Sequence, residues 1–326
     1  MIELKFTECE NLKSTDEYGY ADYMLCLKHK THGGWLYGNL CPLGEIGVYP
    51  SAVAQGLFAE ETVRITPRSD GKLSVFRLDD YIERLDSQAK AMGLPSVDKE
   101  LTAYGVKQLL SLCRPFASNG AVYAQMTLMS LETDPDIYSA REAVLTVTLK
   151  KEPPRSMNTL TACTSSECIM AHPHKFGAPF AYSVRAGRKE AKSRGYDNVL
   201  WLDSVYGRYV DALAGMDVFF RFGDSVVYAG GGITADSVRA LMRDWHIDVA
   251  SLRISTDQII KEYEQGTLME AFAVGTKNTV IPVTRLDIGG TVLGLPRAKL
   301  AKKLYDALYG IESGDYPDGF GWVSVV

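Results

Sequence analysis

The spacing of hydrophobic residues along the chain predicts a mixture of strands and helices. Apolar and polar residues alternate at 122–128 and 143–149, with the period of two that is typical of strands. Residues 73–77 predict another strand, because they follow the Asp70-Gly71 pair that favours a hairpin turn. Further strands are predicted at 198–203, 209–221, 225–229 and 272–283.

Helices are predicted where apolar residues recur every three or four positions. After Asp79, which is predicted to cap the first helix, Ile82, Leu85, Ala89 and Met92 follow this spacing up to Gly93. Other helices are predicted at 101–114, 183–194, 234–245, 256–264 and 296–309, the last one ending at Gly310. Strands mixed with helices, without regular alternation, predict an α/β (α+β) fold.

The length of the chain and one proline-rich segment predict two domains. A chain of 326 residues exceeds the usual size of a single domain. Residues 150–155 read Lys-Lys-Glu-Pro-Pro-Arg, with two prolines and no apolar residue, which indicates a linker. We therefore predict a small N-terminal domain at 1–149 and a larger C-terminal domain at 156–326.

Composition narrows the class of protein. Hydrophobic residues make up 46% of the chain and charged residues 23%, as in ordinary globular proteins. A net charge of −5 argues against nucleic acid and anionic membranes as partners. No apolar run reaches the roughly 18 residues of a membrane span and no signal peptide opens the sequence, so we expect a cytoplasmic protein. The six cysteines and five histidines lack the spacing of a metal site, and free thiols are expected.

Residues 209–220 read Tyr-Val-Asp-Ala-Leu-Ala-Gly-Met-Asp-Val-Phe-Phe. This segment resembles the Tyr-Val-Glu-Glu-Val-Gly-Thr-Met-Asn-Ile-Phe-Phe strand of the branched-chain amino acid aminotransferases. Other ordered matches, such as Gly34-Trp35 and Gly321-Trp322, extend the resemblance over nearly the whole chain. It implies a two-domain class IV aminotransferase-like (D-amino acid aminotransferase-like) fold and a cytoplasmic homodimer. It further implies pyridoxal 5'-phosphate as cofactor, an amino acid and a 2-oxo acid as substrates, and a role in branched-chain amino acid biosynthesis.

The resemblance also implies a set of cofactor-binding residues. Lys175 matches the lysine whose primary amine forms a Schiff base with the cofactor aldehyde. The family tyrosine five positions later falls on Phe180, with Tyr182 as its substitute if the loop is shifted. The residues that match phosphate-binding positions of the family are Arg84, Gly232, Ile233, Thr234, Gly275 and Thr276. Each of these features also has an ordinary structural interpretation. Arg84 is then an exposed arginine of a helix, Thr234 a helix cap and Thr276 a loop residue.

Several positions depart from the family. Ala212 stands where a glutamate faces the pyridine nitrogen, and Asp211 is expected to point to the opposite face of the strand. In the substrate pocket, Tyr123 is followed by Gln125 in place of an arginine, and Phe58 precedes Ala59 in place of a glutamate. Lys277 replaces an alanine and is predicted either to pair with an acidic group of a ligand or to reach solvent. Asp217 replaces an asparagine and is interpreted as a carboxylate at the edge of a strand. Glu60 and Glu61 are interpreted as residues of a loop or a helix cap.

These features leave three hypotheses for function. The first is a pyridoxal-phosphate-dependent aminotransferase that acts on an altered amino or 2-oxo acid. The second is a relative that uses the cofactor for elimination or racemisation. The third is a scaffold that does not transaminate and binds another anionic small molecule or a protein.

Overall fold

A computed structural model describes residues 4–6, 19–30, 33–43, 56–132, 140–151, 157–165, 177–277, 279–296 and 298–326. The chain divides into two compact units. The first contains Met1–Pro154, Phe176–Ala178 and Gly310–Val326, and the second contains Arg155–Lys175 and Pro179–Tyr309. The sequence predicted a boundary at 150–155 and a second domain that runs to residue 326, whereas here the segment from Gly310 groups with the first unit.

The described strands of the first unit form one eight-stranded sheet, with Lys150 and Lys151 of the predicted linker in its strand β7. The order across the sheet is β1-β3-β2-β7-β6-β4-β5-β17. Neighbouring strands are antiparallel except for β1 and β3. The strands are β1 Leu4–Phe6, β2 Tyr20–Lys30, β3 Gly34–Pro42, β4 Phe58–Pro67, β5 Leu73–Phe76, β6 Val122–Ser130, β7 Ala143–Lys151 and β17 Val323–Val325.

Three helices accompany this sheet in the chain: α1 Leu78–Ala91, α2 Lys99–Leu112 and the short α3 Arg114–Ala117. Helix α2 begins after Asp98, whose side chain accepts a hydrogen bond from the N–H of Leu101 at 3.0 Å. The prediction that Asp79 caps α1 is wrong. The N-cap is Arg77, with a left-handed φ of 51° and no capping side chain, and its guanidinium donates to Asp80 at 2.6 Å.

A fully buried ion pair joins β4 to the C-terminal helix α7, Lys299–Ser313. Arg64 donates from Nε to Glu312 at 3.1 Å and from its terminal nitrogen to the other oxygen, and both side chains are 0% exposed. Thr66 donates to the same carboxylate at 3.1 Å, and the Phe76 ring lies 4.8 Å from the guanidinium carbon. These contacts offset the desolvation of two charges, so each charge depends on its partner.

Removing one member of this pair is expected to destabilise the protein strongly. Glu312→Gln or Arg64→Met leaves one buried charge without its partner, and such changes cost about 3–5 kcal/mol. We expect Arg64→Met/Glu312→Leu to cost less than the sum of its two single changes. Urea unfolding measures these free energies. Lys302→Ala, which breaks the exposed pair with Asp306, is the control and is expected to change stability by at most about 0.5 kcal/mol. Additive single changes would show that the pair is not coupled.

The second unit contains a nine-stranded sheet among the described residues. Its order is β10-β9-β8-β15-β14-β11-β12-β13, with β16 paired to β15. The strands are β8 Leu160–Thr164, β9 Asn198–Leu202, β10 Val210–Leu213, β11 Asp217–Phe222, β12 Ser225–Ala229, β13 Asp248–Ser251, β14 Leu268–Gly275, β15 Thr279–Ile288 and β16 Thr291–Gly294. The remaining helices are α4 Gly177–Ser193, α5 Ile233–Asp244 and α6 Thr256–Glu264, in addition to α7. Two sheets with helices match the predicted α/β (α+β) class.

Two predicted strands are each divided in the structure, and one predicted helix continues past its expected end. The strand predicted at 209–221 is broken into β10 and β11 by a turn at Gly215, where φ is +81°. The strand predicted at 272–283 is likewise two strands, β14 and β15. Helix α7 continues through Gly310 instead of ending there. A Cβ at this position would lie 2.3 Å from the Tyr316 ring, so this glycine permits close packing inside the helix.

Within the described residues, no helix is long and apolar enough to cross a membrane, and no cluster of His, Cys, Asp and Glu could hold a metal ion. Four described cysteines are free thiols: Cys26, Cys41, Cys113 and Cys163. Burial raises the pKa of Cys26 and of Cys113 to about 11, so these thiols remain protonated at neutral pH.

Candidate functional site

Two glycine-containing turns lie beside each other at one end of the second sheet. Strand β11 is antiparallel to both of its neighbours, with Asp217 opposite Val274 of β14 and Val218 opposite Ala229 of β12. The start of β11 therefore lies between the turn that follows β12, at 230–232, and the turn that follows β14, at 275–277. Because neighbouring strands are about 4.8 Å apart, the two turns are separated by roughly 10 Å.

The carboxylate of Asp217 holds the 230–232 turn. Its Oδ1 accepts a hydrogen bond from the N–H of Gly231 and its Oδ2 accepts one from Gly232, both at 2.9 Å. Gly230 has a φ of +116°, and a Cβ there would lie 1.8 Å from Oδ1 of Asp217. Asp217 therefore anchors the turn, a role that the sequence interpretation as a strand-edge carboxylate did not include.

Helix α5 begins directly after this turn. Its N-cap is Gly232, not Thr234, and no side chain within the helix caps it. Ile233 and Thr234 are the first two helical residues, and they are 7% and 2% exposed. The first intrahelical bond runs from the N–H of Asp236 to the carbonyl of Gly232, so the N–H groups of 233–235 lie at the positive end of the helix. Such a helix start favours an anion.

The 275–277 turn contributes hydroxyl groups on the other side of β11. Gly275 ends β14, Thr276 is half-buried and Lys277 is exposed. Thr279, opposite Gly275 in the ladder, is fully buried with a left-handed φ of 59°. Within the described part of the chain its Oγ1 lacks a hydrogen-bond partner. A β-branched residue in this conformation stores strain of order 1–3 kcal/mol.

The chemistry of this sheet end fits a phosphate group. Backbone N–H groups at a helix start, the hydroxyls of Thr234 and Thr276 and the orphaned hydroxyl of Thr279 are all donors. The exception is the carboxylate of Asp217, which adds a negative charge between the two turns.

Arg84 of α1, in the first unit, pairs with a buried carboxylate. Its Nε and one terminal nitrogen donate to the two oxygens of Glu61 at 2.5 Å, and Gln88 donates to the same group. Glu61 is 4% exposed, and burial raises its pKa while the hydrogen bonds from Arg84 oppose this shift. The side chain of Arg84 is 36% exposed, and its guanidinium carbon lies 5.2 Å from the centre of the Tyr81 ring.

The interpretation of Glu60-Glu61 as a loop or helix cap is wrong, because both residues lie in β4. Ala59, Glu61, Val63 and Ile65 are all buried on one face of that strand. This alternation in the sequence is the signal from which a buried Glu61 could have been predicted. The carboxylate of Glu61 therefore lies on the same face of β4 as Ala59, which stands in place of the family glutamate.

Three of the four predicted substrate residues share the opposite face of the first sheet, whereas Lys277 lies in the 275–277 turn of the second unit. The ladder places Thr62 opposite Gln125 and Arg64 opposite Tyr123, so Tyr123 and Gln125 point to the same side as Phe58 and Glu60. Gln125 donates from Nε2 to Glu60 at 2.9 Å. Tyr123 is buried and Phe58 is half-buried. The residue in place of the family arginine is therefore an amide bonded to a carboxylate.

Ala212 is 6% exposed and lies opposite Trp201 of β9, in the edge strand β10. The ladder is irregular between Val210 and Ala212, which makes Asp211 the extra residue of a β-bulge. The strict alternation used to orient Asp211 therefore does not hold here. Lys175 lies outside the described residues. Phe180 and Tyr182 belong to α4, but their side chains also lie outside the described part.

Two neighbouring glycines provide a matched test of the Asp217 turn. Gly230→Ala is expected to destabilise the protein by at least about 1 kcal/mol, because φ is unfavourable for alanine and the new Cβ meets Asp217. Gly231→Ala is expected to change stability by at most about 0.5 kcal/mol, because a Cβ there meets nothing within 4 Å. Thermal unfolding compares the two variants, and equal melting temperatures would contradict this geometry.

Comparisons with known proteins agree with this architecture. A crystal structure of a branched-chain aminotransferase from Thermoproteus uzoniensis with norvaline has the same fold, with a TM-score of 0.77 at 20% identity. The similarity covers 93% of this chain and 99% of that one. A T.th. branched-chain amino acid aminotransferase complexed with N-(5'-phosphopyridoxyl)-L-glutamate gives a TM-score of 0.72 at 21% identity, over 91% and 97% of the two chains. The two-sheet architecture is therefore the class IV aminotransferase-like fold that the sequence predicted.

Sequence comparisons establish the family. Residues 59–286 match the model of the class IV amino-transferases. Branched-chain-amino-acid aminotransferase 2 of Bacillus subtilis is 26% identical over 94% of this chain and 90% of its own length. Branched-chain-amino-acid transaminase 1 of the same organism is 28% identical over 93% and 91%. This chain belongs to the class IV aminotransferases, and it is thus a transferase of a family that depends on pyridoxal phosphate.

Proposed function

We propose that this enzyme transfers an amino group between an amino acid and a 2-oxo acid, and that its amino acid substrate differs from that of the branched-chain enzymes. The observation that carries the proposal is the convergence of the 230–232 and 275–277 turns beside β11. Both turns match cofactor motifs of the family, and the strand ladder brings them to one sheet end that offers donors for a phosphate. Following the family, we also infer that the active form is a cytoplasmic homodimer.

Each proposed cofactor residue has one task. The first-turn N–H groups of α5, with the hydroxyls of Thr234 and Thr276, bind the phosphate. The family motif also assigns a phosphate-binding role to Arg84, whose guanidinium here donates to both oxygens of Glu61. The amine of Lys175 would hold the cofactor aldehyde and would move the proton at the substrate Cα. The bound cofactor supplies an electron sink for that proton transfer.

The inference of a different substrate rests on the polar face of the first sheet. Where the family motif has an arginine, Gln125 is bonded to Glu60, so this position presents an amide and a carboxylate. A carboxylate and an amide favour hydrogen-bond donors or cationic groups of a substrate, whereas an arginine favours an acidic group. We therefore infer that this face selects an amino acid other than those of the branched-chain relatives.

The cofactor spectrum and a coupled assay test the function together. With added pyridoxal phosphate, the wild-type chain is expected to gain visible absorbance that borohydride abolishes. It is also expected to transaminate at least one donor in a screen of amino acids with 2-oxoglutarate. Lys175→Ala should lose both properties, because it removes the amine that is proposed to bind the aldehyde. Lys189→Ala removes an exposed lysine of α4 and serves as the control. An unchanged spectrum in Lys175→Ala would defeat the assignment of this lysine.

Ala212→Glu is expected to raise turnover. A carboxylate at this position would keep the pyridine nitrogen protonated, and each pKa unit corresponds to about 1.4 kcal/mol, or roughly tenfold in rate. Ala212→Gln has nearly the same shape without the charge and is the control. Single-turnover spectra with several donors follow the half-reaction directly. Equal rates for the two variants would mean that charge at position 212 does not limit the reaction.

A further inference from the structure

Two adjacent glutamates of β4 face opposite sides of the first sheet, and only one of them has a cationic partner. Glu61 is buried and bound by Arg84, as described above. Glu60 is exposed, and its one hydrogen bond in the described part of the chain comes from Gln125, to Oε1. Among the described residues, no lysine, arginine or histidine pairs with this carboxylate. Glu60 therefore presents a negative charge and its second oxygen to solvent.

Apolar side chains lie next to this carboxylate on the same face of the sheet. Phe58 stands two positions before Glu60 in β4, and Met129 of β6 is opposite Phe58 in the ladder. Both side chains are half-buried. Residues two positions apart in a strand are about 7 Å from each other. A ligand on this face therefore meets an apolar surface and, about 7 Å further along the strand, a carboxylate.

This combination fits an aliphatic side chain that ends in an ammonium group. Such a side chain places its methylene groups along apolar surface and keeps its charged end in a polar environment. A guanidinium fits less well, because it binds a carboxylate through two parallel hydrogen bonds. Gln125 already donates to one of the two oxygens of Glu60. An ammonium is a compact charge, for which the remaining oxygen is sufficient.

We propose that Glu60 is a specificity-determining residue that selects an amino acid whose side chain ends in an ammonium group. The carboxylate of Glu60 binds that ammonium, and the side chains of Phe58 and Met129 contact the methylene groups that carry it. This proposal rests on the proposed function, because Phe58 and Gln125 belong to the predicted substrate pocket.

The test compares ornithine with norvaline, whose side chain has the same number of carbons without the amine. The ratio of kcat/KM for the two donors, with 2-oxoglutarate, is measured for wild type, Glu60→Gln and Glu100→Gln. We expect wild type to prefer ornithine by at least about tenfold, the scale of a hydrogen bond to a charged group. Glu60→Gln should reduce this ratio by at least about fivefold. Glu100→Gln removes an exposed carboxylate of α2 in the same unit and should leave the ratio unchanged.

A binding measurement separates failure of this proposal from failure of the proposed function. Calorimetric titration of the purified full chain with ornithine and norvaline requires no turnover, and the same dependence on Glu60 is expected. Transamination of norvaline without a preference for ornithine, or an unchanged ratio in folded Glu60→Gln, would leave the function standing and overturn the role of Glu60. Selective ornithine binding that Glu60→Gln abolishes, with no donor transaminated, would uphold Glu60 and contradict the function. If Glu60→Gln does not fold, wild type decides, since equal affinities for the two amino acids overturn the proposal and a preference for ornithine supports it.

Discussion

The hydrogen bonds from Gly231 and Gly232 to Asp217 are the constraint on which the candidate site depends. They connect the start of β11 to the turn that leaves β12, and so fix where α5 begins and which way its first N–H groups face. The same residue stands opposite Val274, one position before the 275–277 turn. Asp217 thus connects both turns, the first through its carboxylate and the second through the backbone pairing of its strand.

Elsewhere, buried carboxylates hold the ends of α7. At its beginning, Glu270 accepts hydrogen bonds from the N–H groups of Leu300 and Ala301 and pairs with Arg221. At its last turn, Glu312 is bound by Arg64. The first carboxylate complements the positive end of the helix, and the second is compensated by an arginine because it lies at the negative end. In both cases a strand and the helix are joined by a charged side chain.

The sequence predicted the parts of the fold that depend on local pattern. Helices α1, α2, α5 and α6 were found within a few residues, because their apolar spacing faces a core. The predictions from sequence were wrong where tertiary contacts determine the bounds of a helix. Gly310 remains helical because it packs against Tyr316, and α1 begins after Arg77 without a capping side chain. For the site, motif resemblance selected the two turns that the ladder brings together. The partners Asp217 and Glu61 were missed, since their hydrogen bonds join residues 14–27 positions apart.

Strand β17 places a condition on the order of folding. Val323–Val325 pairs with β5, and Leu73 and Val326 exchange two backbone hydrogen bonds at 2.9 Å. Trp322 also lies edge-on against Phe76, in the same first unit. During synthesis, about 250 further residues must be added after β4 and β5 before β17 is made. Arg64 and its partner Glu312 are separated by a similar length of chain. The first unit therefore cannot complete its sheet until β17 has been made, and β5 exposes an unpaired edge until then.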